Sequence, residues 1–303
     1  MKKYHLCCTA LAAMLLGFGG HASAQSDTLK KVKDSGVITM GVRDASGAMS
    51  FTLGPGIYTG FHVEICERVI ADVKKAVNRD KLEVRYQVVT PANRIPLVQN
   101  GTVDIECGTT TNNAARQKDV AFAPTLYVEG IRIAVKTASN LTTSSQLSGK
   151  NVALTSGSTS VQALRKLKRD GSEVAEVLAK DNSEGFLLLE GGRVDAFAAD
   201  GQILATLISK SKDPGQYKLM EQVLSVEPIA IMIRKDDPAF KKVVDDSIGN
   251  LAKSGEVARI YDRWFMQPIP PNQSKVGLPP NALTKAAWAN PNDKPLEAYE
   301  PAK

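Results

Sequence analysis

The sequence predicts an α/β protein of two packed lobes. Strand-like and helix-like segments alternate along it, as in units built around mainly parallel sheets. Its 303 residues are too many for one small module and suit two. A short pattern, Leu97-Val-Gln-Asn-Gly101-Thr-Val-Asp104, returns as Leu188-Leu-Glu-Gly-Gly192-Arg-Val-Asp195. In both copies a helix end is punctuated by glycine before a strand begins.

The chain opens on Lys2 and Lys3, followed by an apolar run from about Leu6 to Gly19 and by Ala22-Ser23-Ala24 before Gln25. Those three parts in order read as a secretory signal peptide over residues 1–24. The run is short for a membrane span. Cys7 and Cys8 precede it, which argues against lipoprotein attachment. Removing the signal also removes His5 and His21, so His62 is the one histidine of the mature chain, and Cys66 and Cys107 are its cysteines. One histidine cannot build a two-histidine metal site or a pair of catalytic imidazoles, and neither a metal nor a cofactor is expected. Two cysteines in an oxidising compartment make one disulfide the natural expectation, with two separate buried thiols as the alternative. The signal holds two lysines and no acid, so its loss lowers the formal charge from +6 to +4. The absence of a basic cluster with interleaved aromatics argues against a nucleic-acid partner.

The elements follow in order. Residues 37–42 form an apolar strand, and 61–77 carry Val63, Cys66, Val69, Ile70, Val73 and Val77 at helical spacing. Residues 82–89 alternate like a strand. Residues 95–99 read as a short helix stopped by Asn100-Gly101, and 103–106 as the next strand. Carrying the repeated pattern forward sets Thr109 opposite Asp200, each just past the end of an equivalent strand. Ligands of open α/β sheets gather there. Asp237-Pro238 caps a helix whose apolar face is Phe240, Val243, Val244, Ile248 and Leu251. A further amphipathic helix carries Val257, Ile260, Tyr261, Trp264 and Phe265, and 267–303, rich in Pro, Asn and Lys, read as an extended tail.

Two loops suit an anion. Cys107-Gly-Thr-Thr-Thr-Asn-Asn113, with Arg116 behind it, offers hydroxyls, amides and a planar guanidinium matched to a carboxylate. A helix starting near Asn112 or Asn113 would add N-terminal amides; the bland reading is an Asn/Thr-capped helix with a surface arginine. Thr155-Ser-Gly-Ser-Thr159-Ser160, between a strand at 152–154 and a helix from about Val161, is a second cradle. It lacks the Gly-Lys-Ser/Thr of a nucleotide loop, and no histidine lies in this half to activate a serine. Arg43 and Arg94 stand at element ends, and Asp200 closes an apolar strand where it could hold an ammonium group. Together these groups fit a dicarboxylic amino acid better than a sugar or a metal.

The ordered series Asn93-Arg-Ile-Pro-Leu97, Gln99-Asn-Gly-Thr102, Glu106-Cys-Gly108, Thr110-Thr-Asn-Asn113, Arg116-Gln117, Thr155-Ser-Gly157, Arg234-Lys-Asp-Asp-Pro238 and Pro268-Ile-Pro-Pro271 resembles the glutamate/aspartate-binding periplasmic proteins of ABC transporters. These belong to the amino-acid branch of type II periplasmic binding proteins. The resemblance runs from about Leu29 through the tail. It implies two lobes closing on the ligand: 25–131 with 230–266, and 132–229, joined by strands near 127–135 and 226–233. It implies that Arg116, Thr111 and Thr159 bind the α-carboxylate, that Thr109 and Asp200 bind the α-amine, and that Arg43 and Arg94 reach the side-chain carboxylate. It also implies a Cys66–Cys107 disulfide, a membrane permease as partner, a monomer and a periplasmic location. Two positions depart from the pattern. Pro91 stands where the family has serine, and Asn182, after Lys180-Asp181, stands where it has histidine. Asn182 can still donate a hydrogen bond but carries no charge. The side-chain end is therefore open to an acid, its amide or a longer acid.

Two other function classes suit the same fold. A periplasmic dehydratase or lyase needs a base in the cleft, for which Asp200 and Glu64 are the candidates. A sensory input domain normally continues into a membrane span, whereas this chain runs into a polar tail.

Overall fold

The computed structural model describes residues 27–299; the signal peptide expected at 1–24 lies outside them. The first half holds helices α1 (Thr28–Ser35), α2 (Phe61–Ala76) and α3 (Arg94–Gln99). Its strands are β1 (Val37–Val42), β2 (Ala45–Ser46), β3 (Ser50–Gly54), β4 (Ile57–Thr59), β5 (Glu83–Val88), β6 (Ile105–Thr111) and β7 (Val120–Phe122). Strand β8 (Tyr127–Lys136) leaves this half. Beyond it come β9 (Asn151–Thr155), α4 (Thr159–Arg169), β10 (Ala175–Ala179), α5 (Asn182–Glu190), β11 (Ala196–Asp200), α6 (Gly201–Lys210) and β12 (Tyr217–Leu219). Strand β13 (Ser225–Arg234) returns, followed by α7 (Pro238–Lys253), α8 (Glu256–Tyr261), a π-helical turn at Asp262–Met266 and α9 (Ala282–Ala289).

One sheet runs through the molecule in the order β10-β9-β11-β8-β13-β6-β1-β5. Its outer strands pair in parallel on each side, and the two long crossing strands at its middle pair antiparallel, Val226 against Gly130 and Pro228 against Val128. The apolar residues form separate cores on the two sides of this crossing. One packs α2, α7 and α8 against β1, with Phe61, Ile65, Phe240, Tyr261 and Phe265 buried. The other side buries Ile133, Leu154, Leu164 and Phe197. Each fully buried side chain of this size contributes roughly 1.5–3 kcal/mol.

The repeated sequence pattern has a structural counterpart. The Asp104 carboxylate accepts the Thr39 amide at 2.9 Å while its own amide donates to the Thr39 carbonyl. Asp195 makes the same pair of bonds to Asn151, with 2.9 Å from its carboxylate. In both halves an aspartate at the entry of a strand (β6 or β11) clips the start of the parallel neighbour, which satisfies backbone groups that the ladder leaves open.

Cys66 on α2 and Cys107 on β6 form a disulfide across a sequence separation of 41, tying the helix to the strand that carries the threonines. Closing a loop of this size removes unfolded-state entropy worth about 4 kcal/mol in the chain-entropy model. Replacing both cysteines by alanine is expected to lower the unfolding free energy by about 2–4 kcal/mol, read from urea transitions; a change below about 0.5 kcal/mol would mean that packing alone holds β6.

Two expectations need correction. Strand β6 runs to Thr111, so Thr109 lies inside the strand and not past its end; Thr110 and Thr111 pair with Ala230 and Ile229 of β13. β-branched threonines suit a paired strand. The expected extended tail over 267–303 contains α9 and a 3-10 turn at Leu296–Ala298. Asn281 caps α9, accepting the Thr284 amide at 2.8 Å, and Thr284 and Ala287 are buried. The surrounding Pro and Asn content hides this short alanine-rich run.

Candidate functional site

Arg43, Arg94, Thr109, Thr111, Thr159, Asn182 and Asp200 line one cavity between the two halves, together with Pro91, Ser158 and Ser160. Its volume is about 20 Å³, room for about one water molecule. The first half supplies Arg43 from the end of β1, Arg94 from the start of α3, and the threonines from β6. The second half supplies Thr159 and Ser160 from the start of α4, Asn182 from the start of α5, and Asp200 from the end of β11. The halves touch directly around it. Gly157 has φ +78°, and a Cβ there would lie 2.8 Å from backbone atoms of Pro91 and Ala92, so glycine permits both the turn and the close approach.

The cationic wall is built from buried arginines. Arg43 and Arg94 are each 2% exposed. Arg94 donates to the Thr109 carbonyl at 2.8 Å, but its Nε, like the Arg43 Nη1, is buried without an acceptor. Burial, and then repulsion from Arg94, pushes Arg43 down to about 10; burial also lowers Arg94. Both keep their charge at neutral pH. Glu106, fully buried on β6, offsets part of it and accepts the Thr110 hydroxyl at 2.6 Å. Arg116 is absent from the cavity wall itself and stands behind it. One of its Nη atoms donates to the Thr111 carbonyl at 2.8 Å, and the other reaches the Gly157 carbonyl of the opposite half at 3.3 Å. Burial, and then Arg94, pushes it down to about 9.

The expected helix at Asn112 or Asn113 is absent, and only a 3-10 turn at Arg116–Lys118 follows. The Asn112 amide is spent on the Pro228 carbonyl at 2.8 Å, and the Asn113 side chain accepts the Arg116 amide at 2.8 Å. The helix N-terminus at the cavity is instead that of α4. Its N-cap Ser158 makes no side-chain cap bond, and the first residues, Thr159 and Ser160, border the cavity.

The anionic wall is half-buried Asp200. Burial raises it to about 7, reinforced by Glu227 and Glu129 and opposed by Arg94 and Arg116. Glu129 and Glu227 sit directly opposite each other on β8 and β13 and were missed in the sequence reading. Their signal was an acid near the start of each of two long, largely apolar strands. The Thr109 hydroxyl donates to Ser46 at 3.2 Å. Asn182 is already bonded twice: its amide donates to the Ala45 carbonyl across the cleft at 2.8 Å, and its oxygen accepts Thr155 at 2.7 Å. His62 faces away from the cavity's chemistry. It is fully buried on α2, 2.6 Å from the Gly108 carbonyl through Nδ1, and burial pushes it down to about 4.

The family described as bacterial extracellular solute-binding proteins, family 3, matches residues 38–267. The chain belongs to that family. It is 43% identical to the L-glutamate/L-aspartate-binding protein of Pseudomonas aeruginosa, over 95% of this chain and 96% of the relative. It is 38% identical to the glutamate/aspartate import solute-binding protein of Escherichia coli, covering 95% of each. An ancestral arginine-binding protein bound to arginine superposes with a TM-score of 0.68 at 25% identity, over 76% of this chain and 98% of the other. The solute-binding protein thus has the type II two-lobe fold, with β8 and β13 as the strands crossing between lobes.

Proposed function

We propose that this solute-binding protein is the periplasmic receptor of an ABC importer and captures L-glutamate or L-aspartate between its lobes, 25–131 with 230–266 and 132–229. The observation that carries this reading is the pair of buried guanidinium nitrogens without acceptors, Arg43 Nη1 and Arg94 Nε, on two arginines that line the cavity. Buried cationic donors without acceptors are costly until an anion meets them. A second carboxylate on the ligand supplies it. The α-carboxylate takes Arg116, the Thr111 hydroxyl and the first amides of α4, including that of Thr159. The ammonium takes Asp200 and Thr109. Binding replaces the long contacts across the cleft, 3.3 Å at Arg116 and 3.4 Å between Thr111 and Thr159, by shorter charge-assisted bonds. The likeness of both curated relatives, named for glutamate and aspartate, supports the same ligand class. Capture is stoichiometric, without turnover, and the loaded monomer docks on a membrane permease.

Calorimetric titration of protein stripped of ligand by unfolding and refolding tests the reading. Tight one-to-one binding of glutamate or aspartate is expected. Binding of glutamine or asparagine alone would move the specificity to the amides, and steady product formation from a prephenate-like substrate would replace a receptor by a lyase. Asn182→His is expected to shift preference toward the acids over their amides by several-fold, since a charged imidazole would join the arginine end. An unchanged ranking would mean that Asn182 serves only to hold Ala45.

A further inference from the structure

Glu227 is a carboxylate only 1% exposed, on the strand that returns from the second lobe. Both of its oxygens are occupied. Ser225 donates to Oε1 at 2.5 Å, and Thr159 donates to Oε2 at 2.9 Å. On its other side the Thr159 oxygen lies 3.4 Å from the Thr111 hydroxyl of the first lobe. A hydroxyl carries one proton, so a hydroxyl that donates it to one partner can only accept from another. The direction of the whole chain is therefore set from its carboxylate end: Thr159 gives its proton to Glu227, and Thr111 is the donor in the Thr111–Thr159 contact. Three bodies meet along this line, since Thr111 belongs to β6, Thr159 to the start of α4 and Glu227 to the crossing strand β13.

We propose that Glu227 is a positioning residue of the ligand site, acting through Thr159. By taking the Thr159 proton it turns that hydroxyl into an acceptor, which draws the first lobe's Thr111 across the cleft and couples lobe closure to the crossing strand. With its hydroxyl proton committed, Thr159 offers a ligand carboxylate its backbone amide, while Thr111, held by the longer contact, keeps a proton that can turn to the ligand. The crossing strand therefore senses whether the start of α4 is in place.

This inference rests on the proposed ligand site only for its binding readout. The test is a double-mutant cycle of Glu227→Gln and Thr159→Val, read by L-glutamate titration and by the distance between spin labels placed at exposed Lys81 and Lys212 in ligand-free protein. Each single variant is expected to weaken binding about tenfold, and the double variant also about tenfold, because both break one chain. A hundredfold loss in the double variant, or wild-type affinity in Glu227→Gln, would overturn the proposal. Thr159→Ser keeps the hydroxyl and is expected to stay within about threefold of wild type. If the wild-type protein binds no acidic amino acid, the ligand reading fails while the label distances still decide this one. The closed fraction is expected to fall equally in both singles and the double, and an unchanged closed fraction in Glu227→Gln would refute it. Glu227→Asp, which keeps the carboxyl group and shortens the reach, replaces Glu227→Gln in the same cycle if the glutamine variant does not fold.

Discussion

Arg116→Ala is expected to weaken amino-acid binding by about a hundredfold or more, whatever the ligand's side chain. In the proposed site Arg116 meets the carboxylate that all amino acids share. Its guanidinium already spans the cleft, bonded to Thr111 on one side and Gly157 on the other, so the planar fork is held before a carboxylate arrives. Truncating one partner of a buried, hydrogen-bonded charge pair costs about 2–5 kcal/mol, and each 1.4 kcal/mol is tenfold in affinity. Burial has already lowered this group to about 9, yet it stays protonated at neutral pH, so its positive charge is present when ligand binds. Arg116→Lys restores charge without the fork and should fall between the two. Calorimetry on the three proteins reads the result, and an alanine variant within threefold of wild type would remove Arg116 from the site.

Asp200→Asn is expected to move binding and stability in opposite directions. In the proposed site the ionised carboxylate holds the ligand's ammonium, and burial, with Glu227 and Glu129 nearby, raises this group to about 7. Affinity of the wild-type protein should therefore rise with pH up to about 7 and level off above it, falling by up to about tenfold per pH unit below. The asparagine variant should bind weakly with this part of the profile flattened. The stability sign follows from the same shift. Between the unfolded value, about 3.9, and the folded value the native state holds more protons than the unfolded one. The contribution of Asp200 to stability therefore declines as pH rises through this window and stays low above about 7. The difference is no more than about 4 kcal/mol, since part of the side chain meets solvent. Ligand-free Asp200→Asn should melt higher than wild type at pH 8 and about equally at pH 4. A variant that melts lower at pH 8 would show that the carboxylate is stabilised by its cations and is not held in reserve for a ligand.

The elements differ in how plainly the sequence announced them. The strand read at 37–42 and the helix read at 61–77 carried strong periods and form within a residue of the reading, and the Asp237-Pro238 cap marked the start of α7. The repeated Leu-to-Asp pattern was legible because it serves a backbone need, the paired clips of Asp104 and Asp195. The extent of β6 was misjudged because three threonines after a glycine carry cap, loop and strand preferences at once, and pairing with β13 chose the strand. Helix α9 was hidden for a related reason. Its eight residues are marginal alone, and their burial against the start of β8, where Trp288 donates to the Leu126 carbonyl at 2.7 Å, depends on a surface formed elsewhere in the chain.

The sequence by itself determined the α/β class, the two cysteines available for a disulfide, and the inventory of arginines, hydroxyls and one acid from which a carboxylate and amine site can be built. Those are properties of residue type and local period. Only the tertiary structure decided which of these groups are already bonded to one another: Asn182 to Ala45, Arg94 to Thr109, Thr159 to Glu227. It alone placed Glu129 and Glu227 side by side at the crossing, close enough to shift Asp200. A residue's chemistry is written in its side chain. Its remaining protons and lone pairs depend on neighbours that the fold brings in from tens or hundreds of residues away, and those free valences are what a ligand meets.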